Sequence, residues 1–235
     1  SPNQSRTPAE AFRLTGLPKV SQAEVEALDP HKAYAEVEHL LADVERLTGK
    51  GHLSLVRLTT PTIGLLGQNT KLHKHDPRHP MGMALGLSLL PEYSAFGGAP
   101  VRGGRSGQTA GGVPLALEPA QAQAGLKATL CAHSSEACRK SCLVYSGNNQ
   151  SDARNNVVKE AKTKMLLEHP VAFMSLLRKA IDKYANAEGK HFGDGQPIVR
   201  FVRLNVFSDI PWEEFVPWLF EDTRVGFYDY TKVPG

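Results

Sequence analysis

The second half of the chain switches repeatedly between two hydrophobic periods, and this limits the folds open to it. After Ser151, Val158, Ala161 and Met165 recur at helical spacing towards His169-Pro170. Val171 to Tyr184 repeats the pattern on Phe173, Leu176, Leu177, Ala180, Ile181 and Tyr184. Ile198 to Phe207 (IVRFVRLNVF) reads as a strand, because β-branched and aromatic side chains suit a pleated surface. Pro211 opens a helix through about Phe220, and Val225 to Tyr230 reads as a last strand. Strands separated by helices are joined by crossovers, which pair them in parallel. The expectation is an α/β fold of βα units resembling a partial TIM-like barrel.

The first fifty residues read as an N-terminal helical extension, residues 1–50, ahead of an α/β domain at 51–235. Residues 1–20 hold three prolines and no sustained period, and are expected to be mostly irregular. Ser21 with Glu24 three residues later is a capping box opening a helix through Leu28. Asp29-Pro30 caps a longer helix carrying Ala33, Val37, Leu40, Leu41, Val44 and Leu47, ended by Gly49 and Gly51. His52 to Leu58 and Met83 to Leu90 read as strands. Residues 97–125 contain eight glycines, and so long a loop is expected to be disordered or to act as a lid.

Hydrophobic residues make up 41% and charged residues 22% of the 235, which excludes wholesale disorder. No run approaches 18 apolar residues and no basic-then-apolar leader opens the chain, so neither a membrane span nor a secretory signal is expected and a cytoplasmic protein is the default. A net charge of +3 is too small to argue for nucleic-acid binding by itself. The charge is uneven, however. Residues 127–164 carry seven Lys/Arg against three Asp/Glu, and residues 205–235 carry two against six.

All three cysteines, Cys131, Cys138 and Cys142, fall within twelve residues. An odd, clustered set in a chain without a secretory signal points to metal binding or catalysis rather than to disulfides. Three thiolates can hold three irons of a [4Fe–4S] cluster and leave the fourth open to substrate. The alternative is tetrahedral zinc with His133 as fourth ligand, although Cys-x-His-x4-Cys-x3-Cys matches no common finger spacing.

Ligand groups in parallel α/β folds gather at the carboxyl ends of strands. That places Asn205 and Asp209 after one strand, and Asp229 and Lys232 after the last, as candidate catalytic groups. Asp209 is an equally good cap for the helix at Pro211, and Asp229 with Lys232 would also make an ordinary turn ion pair. Arg154, Lys159, Lys162 and Lys164 make the helix after the cysteines basic, which would suit an anionic partner. The simpler expectation is a solvated face, since charge runs usually mark exposed surface. His73, His75 and His79 are weaker candidates beside the turn at Asp76-Pro77. The chain contains no Walker loop, dinucleotide-binding glycine fingerprint, nucleophile elbow or H-E-x-x-H.

Several motifs together resemble the Gene product 88 family of phage- and plasmid-borne proteins. They are Gly67-Gln-Asn-Thr-Lys71-Leu72, the three cysteines with Leu143 and Gly147, Arg203-Leu-Asn205 followed by Ser208-Asp-Ile-Pro-Trp212, and Phe227-Tyr-Asp-Tyr-Thr-Lys232. The resemblance spans about residues 65–235, with 1–50 and 97–125 outside its pattern. It implies no reaction. It marks Lys71 as a candidate cofactor-binding residue beside Arg154 of the basic helix, favours three-cysteine ligation over the Cys3His alternative, and implies that relatives continue past Lys232, so that the substrate site is expected to be incomplete.

The function expected is an iron–sulfur enzyme, of a kind that binds S-adenosylmethionine at an open iron and acts on an anionic or nucleotide-like substrate. The x6, x3 cysteine spacing differs from the x3, x2 spacing usual for radical enzymes. The rival expectation is a zinc-stabilised, non-enzymatic module that binds nucleic acid or protein through the basic segment at 139–164.

Overall fold

In the computed structural model the alternation of periods becomes a mixed α/β fold. It describes residues 7–48, 65–67, 83–90, 92–94, 127–131, 153–187 and 199–229, with backbone alone at 43–48, 83, 92–94, 127–129 and 153–157.

Four strands form an open sheet: β1 (Leu66–Gly67), β2 (Met83–Leu87), β5 (Arg200–Arg203) and β6 (Gly226–Phe227), side by side in that order. The pairs β2·β5 and β5·β6 are parallel and β1·β2 is antiparallel. A separate antiparallel ribbon joins β3 (Glu92–Ser94) to β4 (Lys127–Thr129). Helices α4 (Ala153–Glu168) and α5 (Pro170–Ala185) precede β5, and α6 (Trp212–Phe215) with a 3-10 turn (Pro217–Glu221) connects β5 to β6. Helical connections between parallel strands are what the sequence pattern implies.

Among the described residues, three helices precede the sheet: α1 (Pro8–Thr15), α2 (Gln22–Ala27) and α3 (Pro30–Thr48). Ser21 and Glu24 form the expected reciprocal capping box, and Asp29 accepts from the His31 and Lys32 N–H groups at the start of α3. Buried Val37, Leu40 and Leu41 of α3 join Phe173, Leu177 and Ile181 of α5 and Met165 of α4 in one core. Each large apolar side chain so buried contributes roughly 1.5–3 kcal/mol.

The structure differs from the sequence reading at several points. The irregular start contains α1, which Thr7 and Glu10 cap reciprocally and Gly16 ends in the left-handed conformation at φ 69°. The strand expected over Ile198 to Phe207 ends at Arg203, because the following N–H groups turn to other acceptors. The helix expected from Pro211 to Phe220 breaks at Val216 (φ −142°, ψ 65°), since Pro217 disfavours a helical residue before it. The expected strand at 52–58, the loop at 97–125 and the histidines at 73–79 lie outside the described residues. Among the described residues, no helix is long and apolar enough to cross a membrane.

Candidate functional site

The carboxyl ends of β2, β5 and β6 open on one side of the sheet, and the chain after β5 is folded there by a single side chain. The Asn205 amide oxygen accepts from Ser208 Oγ (2.9 Å), the Ile210 N–H (2.9 Å) and Trp212 Nε1 (3.0 Å), while its Nδ2 donates to the Ile210 carbonyl (3.0 Å). Three donors saturate a carbonyl oxygen, so Asn205, only 7% exposed, serves as the organiser of the 205–212 loop. The sequence reading offered it as a reacting or substrate-binding group. In the structure its oxygen and one Nδ2 hydrogen are used internally.

The loop is fixed at three further points. The Asn205 N–H donates to Asp229 Oδ2 (2.9 Å), the Val206 N–H to the Leu87 carbonyl at the end of β2 (3.3 Å), and the Asp209 N–H to the Leu130 carbonyl (2.7 Å). The last bond brings the cysteine segment to the site. Leu130 precedes Cys131, whose side chain is buried. Asp209 is 5% exposed, and Asp229 takes Arg203 Nε at 3.4 Å on its second oxygen.

A cleft of about 490 Å³ lies here, with Asn205, Asp209 and Asp229 in its wall. Its lining includes apolar Val202, Leu204 and Ile210 and aromatic Trp212, Phe220, Phe227 and Tyr228. Glu213 and Glu214 add two more carboxylates, and Pro8 of α1 contributes from the N-terminal segment. That segment is held nearby by the Trp218 Nε1 bond to the Val20 carbonyl (2.8 Å) and by contact of the Phe12 and Phe215 rings. Among its lining residues the cleft has four carboxylates and no Lys or Arg. Trp212, Glu213 and the other aromatic lining residues had no assigned role in the sequence reading; the acidic excess over residues 205–235 was the signal for the carboxylates.

The helix after the cysteines contradicts the expectation of a solvated basic face. Lys159, Lys162 and Lys164 are all buried. Each meets a specific group. Lys162 Nζ donates to the Leu65 carbonyl (2.9 Å), Lys159 Nζ lies 4.9 Å over the Phe207 ring, and Lys164 pairs with Glu168 at 3.7 Å. Burial, followed by repulsion from Lys159, lowers the Lys162 pKa to about 8. Thr163 Oγ accepts from the Leu90 N–H beyond β2, so α4 is tied to the same edge of the sheet.

Cys138, Cys142, Lys71 and Lys232 lie outside the described residues, as does the side chain of Arg154. Of the sequence candidates the structure therefore brings together Asn205, Asp209 and Asp229, while Cys131 directly follows Leu130, the residue bonded to Asp209.

A family model described as Gene product 88 matches residues 101–235, more than half of the chain. The chain belongs to that family. The Gene product 88 match contains the three cysteines, Arg154, Asn205, Asp209, Asp229 and Lys232. It begins later than the resemblance from residue 65, leaving Lys71 and α1 to α3 outside, and it takes in most of the glycine-rich segment. No curated protein and no solved structure matches the chain.

Proposed function

We propose that this chain is an iron–sulfur protein, with Cys131, Cys138 and Cys142 as ligands of a [4Fe–4S] cluster beside the cleft. The observation that carries the reading is the bond from the Asp209 N–H to the Leu130 carbonyl. It ties the backbone immediately before the first of the three clustered cysteines to the 205–212 loop, at the carboxyl ends where α/β folds concentrate their chemistry. The donor set fits, since thiolates favour iron–sulfur clusters or zinc over oxygen-seeking cations. When bound, such a cluster supplies an electron and one iron not held by cysteine.

The cleft itself supports S-adenosylmethionine as co-substrate. Its sulfonium and ammonium are cations, and a cation about 4 Å from a carboxylate gains roughly 4 kcal/mol at an effective dielectric of 20. Asp209 and Asp229 would orient those groups or the ribose hydroxyls, and Trp212 and Tyr228 would pack on the adenine. The same lining suits a nucleoside better than a bare phosphate. An anionic group would have to be met by Lys71, Arg154 or Lys232. The partial barrel belongs to this proposal too, with β2, β5 and β6 as its parallel strands.

The test is electron paramagnetic resonance of the reduced, anaerobically purified protein. S-adenosylmethionine is expected to change the cluster spectrum, and Asp209→Asn to weaken that response at least tenfold. A cluster signal that S-adenosylmethionine neither perturbs nor is cleaved by would remove the co-substrate from the account.

A further inference from the structure

The corner between α4 and α5 carries a donor set that neither the cysteines nor the cleft uses. His39 projects from the exposed side of α3, Glu168 is the last residue of α4, and His169 stands between the two helices. One ligand atom from each lies within 4.8 Å of the others. The two imidazoles meet edge to face with centroids 5.8 Å apart. His169 occupies the N-cap of α5, a position that favours short side chains able to accept from the helix, yet its ring makes no capping bond. Instead Nδ1 faces Glu36 Oε2 at 3.8 Å.

We propose that His39, Glu168 and His169 bind a divalent transition metal ion of the zinc type, tying α3 to the α4–α5 corner. Imidazole with carboxylate suits zinc, cobalt or nickel rather than calcium or magnesium. Ligand atoms at the usual zinc distances are about 3.4 Å apart in a tetrahedron, so the present spacing must contract by roughly 1.4 Å at most. His39 is exposed and can turn to supply most of that movement. Glu36, 3.8 Å from His169 Nδ1, is a positioning residue of the kind that commonly orients metal-bound histidines. Lys164 competes for Glu168 at 3.7 Å, so the carboxylate must serve both partners through its two oxygens. His39 lies outside the family match and the other two residues inside it, so the ion would lock the N-terminal helices onto the family's own part of the chain.

The test is calorimetric titration of the full chain, its cysteine centre left as purified, with zinc and then cobalt. The expected result is one equivalent of zinc beyond the metal already present, a melting temperature raised by several degrees, and at least tenfold weaker binding in His39→Ala. The cobalt form should lack thiolate charge-transfer absorption. Glu36→Gln should weaken binding less than His39→Ala. No further equivalent at zinc on the order of 100 µM, equal affinity in His39→Ala, or a thiolate band in the cobalt form would each overturn the site. The His39→Ala comparison separates this site from metal taken up by the cysteines.

Discussion

Replacing Asn205 with alanine separates a residue that builds the site from one that reacts in it. The amide oxygen takes three hydrogen bonds, from Ser208 Oγ, the Ile210 N–H and Trp212 Nε1, all between 2.9 and 3.0 Å. Alanine removes the acceptor and strands the Ile210 and Trp212 donors in a buried place, while the Ser208 hydroxyl can rotate. Each buried donor without a partner costs about 1–3 kcal/mol, so the two together cost roughly 2–6 kcal/mol. At about 2–4 °C per kcal/mol for a chain of this size, the melting temperature should fall by roughly 4–24 °C. Thermal unfolding followed by near-ultraviolet circular dichroism is the assay, because Trp212 reports directly on the loop. Asn205→Asp keeps the acceptor but places a charge near Asp229, and should be destabilising as well. A melting temperature within about 2 °C of wild type in Asn205→Ala would refute the organising role.

Lys162 makes stability depend on pH. Its folded pKa, about 8, lies below the 10.5 of the unfolded chain, so the unfolded state holds more protons between those values and stability rises with pH across that window. Relative to Lys162→Met, wild type should gain about 3 kcal/mol between pH 7 and pH 10.5 in urea titrations, and a flat difference would contradict the buried ammonium. Gly226→Ala should lower stability by about 1–3 kcal/mol, because the new methyl would come 2.5 Å from the Phe201 ring on β5; an unchanged urea midpoint would show that the ring moves freely. Thr7→Ala should cost about 1 kcal/mol by removing one half of the α1 capping box, provided α1 stays docked on α6, and a wild-type unfolding midpoint would mean that this end contributes nothing.

Much of the scaffold was legible because its signals are local. The Ser21 and Glu24 box, Asp29-Pro30 and the apolar spacing of α3, α4 and α5 each act within a few residues, and those helices lie where their sequences place them. Thr7 and Glu10 carry the same box as Ser21 and Glu24, but the surrounding prolines and the lack of a sustained period make the segment read as irregular. What the chain conceals is the partner of each polar group. Lys162 looks like a solvated lysine until the Leu65 carbonyl, 97 residues away, is folded against it. Asn205 looks reactive at a strand end until Trp212 and Ile210 turn back onto its oxygen. The carboxyl-end placement of Asp209 and Asp229 followed from parallel topology alone. The link to Leu130, by contrast, joins segments whose relation no period records.

The central claim concerns what the three thiols hold. Iron, acid-labile sulfide and zinc should be measured together on protein purified without oxygen, for wild type and Cys138→Ser. The account predicts close to four irons and four sulfides per chain in wild type, with little zinc, and loss of both iron and sulfide in the variant. Stoichiometric zinc without iron or sulfide, retained by wild type and lost in Cys138→Ser, would contradict it.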